Sequence, residues 1–197
     1  MEENTLIHKN QKIKGQIPNS ELFSQAWRDL KGKWGISISL CLLYLVFSVI
    51  GLIGGIFITV PLNVGSAIFW INISRKTNPQ INDMFKGFNS YGAALKAKTL
   101  VGVIVIGGII LLIIPGIIWG IQYSMVNYII ADDSNCGGNE SLVRSRKMMY
   151  GHKWKMFEFM LRAIGIILLC FLTLGIGLLW GIPWISTAMA KFYDDIK

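Results

Sequence analysis

The sequence predicts an all-α integral membrane protein: three helical hairpins, about six membrane segments with some short or re-entrant, and amphipathic helices on the cytoplasmic side. Three observations predict it. Apolar residues make up 53% of the 197 and charged residues only 15%, against about 25% charged in an ordinary soluble domain. Asp, Glu, Lys, Arg and His are missing between Lys33 and Arg75, between Lys98 and Asp132, and from Ala163 to Ala190. The Lys and Arg residues gather between those stretches. With a mean hydropathy of +0.51, disordered, collagenous and disulfide-scaffold classes are excluded.

Residues 1–18 form a polar tail, expected to be disordered. Its start, Met1-Glu2-Glu3-Asn4, lacks the basic and apolar regions of a signal peptide, so the first apolar block is expected to do the targeting. Residues 19–197 read as a single membrane domain. Its hairpins lie at about 35–74, 99–131 and 156–190, preceded by arms at 19–34, 75–98 and 132–155. One crossing takes roughly 20 residues, and a straight helix of 33–40 would run about 50–60 Å through a core about 30 Å thick. Each block must therefore break. The breakers are Gly54-Gly55 to Pro61, then Pro115-Gly116, then Gly175 and Gly177. The halves come out at about 16–18 residues.

The charge pattern orients these segments. Residues 1–34 carry six Lys/Arg, residues 75–98 five and residues 132–155 five. Three single crossings would put the 75–98 arm outside. Three hairpins put every basic arm, and both termini, in the cytoplasm. Each arm contains an amphipathic stretch. The first runs through Leu22, Phe23, Ala26, Trp27 and Leu30, with Ser20 as N-cap. The second has Ile81, Met84, Phe85 and Phe88. The third covers Arg144–Tyr150, capped by Asn139 or Ser141. Such stretches lie in the membrane interface or pack on the ends of the hairpins, and both readings stay open.

The arms end alike, with Leu30-Lys31-Gly32-Lys33-Trp34 before the first block and Tyr150-Gly151-His152-Lys153-Trp154 before the third. Lys33, Trp34, Lys153 and Trp154 suit the headgroup zone as anchors. One GxxxG pair sits in each block, Gly51/Gly55, Gly116/Gly120 and Gly177/Gly181, as candidate close helix contacts. Arm plus hairpin, three times, is either an internal repeat or three answers to one physical demand.

The run Ser145-Arg146-Lys147-Met148-Met149-Tyr150-Gly151-His152-Lys153-Trp154-Lys155-Met156-Phe157 resembles the signature of the domain-of-unknown-function 975 family of bacterial integral membrane proteins. Also similar are Leu30 to Trp34, Pro61-Leu62 with Gly65, Phe85-Lys86-Gly87-Phe88, Ile114-Pro115-Gly116-Ile117-Ile118, Tyr123-Ser124-Met125 with Asp132, and Leu172 to Trp180 through Pro183 to Phe192-Tyr193. The resemblance runs in order from about residue 20 to the end. Trp184 and Arg162 depart from the family pattern. The resemblance implies a membrane fold, largely of Gram-positive bacteria, and no activity. A more distant similarity is to the membrane domain fused to some glycerophosphodiester phosphodiesterases, whose catalytic module this sequence lacks.

No catalytic set, cofactor motif or metal site is expected, so the chain reads as a non-enzyme. Its two histidines, His8 and His152, stand apart, and no phosphate-cradling loop or nucleophile elbow occurs. Cys41, Cys136 and Cys170 form no CxxC pair. Asp132-Asp133 reads as a solvated turn. The net charge of +8 points to anionic lipid headgroups rather than nucleic acid, because the basic residues sit between apolar blocks. Arg162, one turn after Glu158, reads as a snorkelling ion pair or a functional intramembrane charge. Asn63, Asn72, Gln122 and Asn127 need protein or water around them. They either glue helices or line a polar cavity. The favoured expectation is a partner, regulatory or scaffold protein of the cell membrane, binding another membrane protein or a second copy of itself. The alternative is a small transporter, channel subunit or lipid-handling protein.

Overall fold

The computed structural model describes residues 15–54, 56–111, 113–173 and 175–197, with side chains described outside 48–57, 109–115 and 174. All regular structure among the described residues is helical. Most of the tail expected over 1–18 therefore lies outside the described residues; its last part, 15–18, is tied down, with the Gly15 N–H donating to the Asp195 carbonyl at 2.9 Å.

Helix α1 (Asn19–Leu30) buries Leu22, Phe23, Ala26 and Leu30 along one stripe. It starts one residue before the expected Ser20 cap. Pro18, extended at φ −62°, accepts the N–H groups of Glu21 and Leu22 instead. After α1 the chain bends by 101° into α2 (Trp34–Gly54), which turns back as α3 (Ile56–Ser74). The Tyr44 hydroxyl donates to Asn63 Oδ1 at 3.0 Å, and Lys33 Nζ donates to the Thr77 carbonyl at 3.1 Å. Both contacts centre on the same reversal, so the pair is antiparallel. Pro61 lies inside α3 rather than at the turn.

The second arm departs from the expected amphipathic helix. It holds only α4 (Asp83–Lys86) and a 3-10 turn at Gly87–Ser90. Met84 is fully buried, whereas Ile81, Phe85 and Phe88 are exposed. The reason is a close approach: a Cβ at Gly65 would sit 1.7 Å from the Met84 carbonyl oxygen, and one at Gly87 would sit 2.0 Å from the Pro61 oxygen. Backbone meets backbone there, so Met84 and Gly87 rather than the aromatic stripe face α3, while the helical run continues into the next helix.

Next come α5 (Tyr91–Leu111), α6 (Ile113–Gln122) and α7 (Val126–Asp132). Pro115 and Gly116 sit within α6, and this second half breaks at 123–125 rather than at the proline. The third unit has α8 (Gly138–Met149), α9 (Lys153–Leu172) and α10 (Leu178–Ile196). Its arm is capped by extended Gly137, not by Asn139 or Ser141. Lys155–Asp195 and Phe159–Phe192 pair across a reversal at Gly175, whose φ is +83°.

The expected half-length of 16–18 residues is exceeded by five helices and not reached by α6, which has 10. Helices α2 and α5 have 21 residues, α9 has 20, and α3 and α10 have 19, about 30 Å each. Helices α5, α9 and α10 outrun the uncharged blocks because they continue into the arms and the C-terminal turn. Lys96 and Lys98 belong to α5, Lys153 to α9 and Lys191 to α10. By length and composition, Asp83–Gly108 is one helical run able to cross a membrane. Asn19–Leu30 with Trp34–Phe47 qualifies only as a bent pair, and Ile58–Ser74 is a shorter apolar helix.

Helices α3, α7 and α10 lie innermost, with α2, α5 and α9 outside them. The arms pack cyclically: α4 on α3, α8 on α5 and α7, and α1 on α10. Each arm covers the preceding hairpin, and the first closes onto the third. Leu22, Phe69, Met84, Phe159 and Phe192 fill the core. The outer helices turn Leu45, Val103, Ile106, Leu168, Leu169 and Leu172 outward, each at least 59% exposed.

Candidate functional site

The three inner helices end together. Arg75, just past α3, donates from Nη1 to Asp132 Oδ1 at 2.6 Å and from Nη2 to Asp194 Oδ1 at 2.7 Å. Asp132 closes α7 and Asp194 lies near the end of α10. Lys197 and the Tyr193 hydroxyl also donate to Asp132, and Tyr193 stacks on Tyr128. A second ring ties in the arms. Asp29 of α1 pairs with the half-buried Lys191 of α10 and stands 3.8 Å from Lys76 of the second arm. Asp195 takes Lys155 at 2.5 Å, and Ser90 donates to the Ser134 carbonyl at 3.2 Å. All three arms and the C-terminal turn thus meet at one end of the molecule.

Burial pushes the Asp132 carboxyl up, but the hydrogen bonds and charges of Arg75 and Lys197 together outweigh it and hold the group at about 2. Asp83 follows the same logic. Its burial is overcome by Lys86 at 2.6 Å, the Gln80 N–H at 3.0 Å and Asn72 Nδ2 at 2.9 Å, so it stays below its ordinary value. These carboxylates are permanently charged at neutral pH and fully engaged. They hold helix ends together and have no free proton to move.

The largest described cavity, about 470 Å³, lies between α2, α3 and α10. Its polar rim is Tyr44, Asn63, Ser66 and Ser186, and its walls include Leu40 and Trp70. Asn63 Nδ2 donates to the Thr59 carbonyl at 2.8 Å, and Ser66 donates to the Asn63 carbonyl at 2.9 Å.

The polar residues named from sequence do not converge. Asn63 alone reaches this cavity. Asn72 serves Asp83, while Gln122 is buried under α8 with its carbonyl accepting from Ser145 at 2.9 Å. Asn127 is half-buried on α7. Arg162 lies exposed on α9, paired with Glu158 at 2.9 Å. Among the glycines, Gly55 and the surroundings of Gly51 lie outside the described residues. Gly116 is buried, with its Cα 3.0 Å from where a Cβ on Gly108 would stand. Gly120 faces open space. Gly177 and Gly181 pack on Cys170. Lys33 reaches Thr77, Trp34 stacks edge-on with Trp27, and Lys153 and Trp154 are exposed, Trp154 at 78%.

Sequence reasoning missed the Gly65–Gly87 contact, although both glycines sit in the quoted motifs, and it missed the Arg75 junction. The signal for that junction was position: Arg75, Asp132 and Lys197 each end an apolar helix at the same point of its unit. Among the described residues no group of three or more His, Cys, Asp or Glu is placed to hold a metal.

A family model described as Protein of unknown function (DUF975) matches residues 91–197, more than half of the chain. No curated protein and no solved structure matches the chain.

Proposed function

We propose, from the premise that the chain belongs to the family of proteins of unknown function DUF975, that it is a multi-pass protein of the cell membrane with six membrane segments. The three hairpins are inserted from one side, with all basic arms and both termini cytoplasmic. The observation that carries this reading is the meeting of all the arms at one end of span-length helices, while the outer helices turn leucine, isoleucine and valine outward. In water such a belt is a liability; in lipid it is the solvent-facing surface. The 101° bend lays α1 across the hairpin ends, at the level of the headgroups. Lys153 with exposed Trp154 and Tyr150 anchors that level and favours anionic lipid.

The biochemical role we assign is non-enzymatic, as a partner or scaffold for another membrane protein. Arg75, Asp132, Asp194 and Lys197 at the polar end are spent on one another, and the scattered Asn72, Gln122, Asn127 and Arg162 line no common path. The test has two parts. In a Cys41, Cys136, Cys170 to alanine background, Phe88→Cys should resist an impermeant maleimide in intact cells and react after permeabilisation; ready labelling from outside overturns the topology. A photo-crosslinking residue at Phe88, exposed on the second arm, should give one discrete protein adduct in native membranes. Adducts to lipid alone overturn the partner role in favour of lipid handling.

A further inference from the structure

We infer that the cavity between α2, α3 and α10 is a binding site for an uncharged lipid whose polar end is a single hydroxyl or carbonyl. This rests on the membrane reading above, since the mouth must open to lipid. The cavity's size, about 470 Å³, lies within the range of about 300–1,000 Å³ typical of ligand sites. Its walls are apolar. Leu45 and Ile182 form an exposed lip, 59% and 45% accessible, on the face that carries the apolar belt, so a chain leaves sideways into the bilayer.

The polar groups decide the ligand class. No ionisable acid or base other than Tyr44 and Cys41 lines the cavity. Tyr44 lies ten residues into α2, and Asn63 and Ser186 lie about as far from the polar ends of α3 and α10, about 15 Å deep. That depth is half of a hydrocarbon core about 30 Å thick. A phosphate placed there would pay heavily in lost hydration with no cation to meet it. A hydroxyl or carbonyl would not. Valences remain to receive it. Asn63 Nδ2 uses one of its two protons on Thr59, and Asn63 Oδ1 takes one donor, Tyr44. The Tyr44 and Ser66 oxygens each donate and keep lone pairs. Ser186 makes no hydrogen bond among the described residues. The site therefore offers one amide N–H and one hydroxyl as donors beside several acceptors.

The experiment uses the full-length protein in liposomes with diazirine-bearing lipids of matched chain length: a diacylglycerol, a polyprenol and a phosphatidylglycerol. A neutral probe should label residues 40–45 and 63–70 about tenfold more than the charged one, and Asn63→Leu should lower that labelling about tenfold by removing the polar contact. Whichever neutral probe labels identifies an acyl or an isoprenoid source. Leu45→Trp, at the exposed lip, blocks the mouth without touching the core and should abolish labelling even if the Asn63 variant fails to insert. Equal labelling by the charged probe, labelling spread evenly along α5 and α9, or full labelling in Leu45→Trp overturns the site. A chain absent from the membrane fraction would overturn the membrane reading instead, so the two failures are separable.

Discussion

Replacing Gly65 with alanine tests the packing of the second arm most sharply. The new Cβ would stand 1.7 Å from the Met84 carbonyl oxygen and 2.4 Å from its carbon, where ordinary contact needs about 3.4 Å. The obstacle is backbone, so no rotamer change relieves it. Helix α3 cannot retreat, because α7 and α10 pack on it from elsewhere. The arm must move out by about 1.5 Å, loosening fully buried Met84 and the reciprocal contact of Gly87 with the Pro61 oxygen. An overpacked core commonly loses about 1–3 kcal/mol, and here the upper end applies. For a chain of this size about 3 kcal/mol is roughly 6–12 °C of melting temperature. The assay is apparent melting in detergent by tryptophan fluorescence, with Gly120→Ala as control. Gly120 meets nothing within 4 Å and lies in α6, so alanine there should stabilise by about 0.5–1 kcal/mol. A Gly65→Ala melting point within about 2 °C of the parent would refute the close approach.

Asp132→Asn should remove about 1 kcal/mol at neutral pH. Each pKa unit is worth about 1.4 kcal/mol, the carboxyl is lowered from 3.8 to about 2, and Arg75 at 36% exposed is partly screened by solvent. Because the folded value is depressed, this stabilisation is complete above pH 3.8 and lost as pH falls toward 2; the variant should melt with a flatter pH dependence across that window. Arg162→Ala should change the melting temperature by less than about 2 °C, since an exposed i,i+4 pair with Glu158 is worth about 0.3–0.5 kcal/mol. A large loss would mark Arg162 as a working intramembrane charge. Gly32→Ala and Gly151→Ala should each lose about 1 kcal/mol, because φ is +80° and +83° with open space around both; a loss at one and none at the other would contradict their shared geometry.

The hairpin plan was legible because it follows from long-range constraints. A long uncharged stretch interrupted by glycines is expected to turn back on itself, and the helices reverse between α2 and α3 and between α9 and α10. The places of the breaks were less legible. Pro61 and Pro115 suggested turns, yet Pro61 sits inside α3, where one lost hydrogen bond is tolerated once neighbouring helices pack around it, and Pro115 sits in the first turn of α6, where no hydrogen bond is lost. The caps were misplaced for a related reason: Pro18 and Gly137 present an extended backbone, and carbonyls rather than Ser20 or Ser141 side chains meet the first-turn N–H groups. Of the GxxxG glycines whose surroundings are described, Gly116, Gly177 and Gly181 make close contacts and Gly120 faces open space, while Gly65 and Gly87, outside any such pair, make the tightest contact. Spacing along one helix says nothing about which backbone a partner presents. The lone polar residues were found, but their partners Asp83, Ser145 and Tyr44 lie on other elements, and a single sequence carries no signal for that pairing.

The first and third arms share one backbone geometry that their side chains do not show. Every buried position of α1 reappears in α8: Asn19 with Gly138, Leu22 with Ser141, Phe23 with Leu142, Ala26 with Ser145 and Leu30 with Met149. The caps repeat too. Lys31 and Tyr150 share an extended backbone, φ −59° and −66°, and the following glycines share the left-handed region. The Lys33 and His152 N–H groups then donate to the equivalent carbonyls of Leu30 and Met149. The side chains differ because the covered surfaces differ. Beneath α1 lie Phe159 and Trp184, so Phe23 stacks there at 4.7 Å. Beneath α8 the backbone comes so close that a Cβ on Gly138 would meet the Ala93 oxygen at 2.7 Å, and Ser145 must reach the Gln122 carbonyl. One backbone plan, dressed for two floors, hides from sequence comparison while surviving in the geometry. The middle arm breaks the plan where Gly65 draws Met84 inward, and that same displacement leaves Phe85 edge-on to Phe47 and Phe88 facing outward.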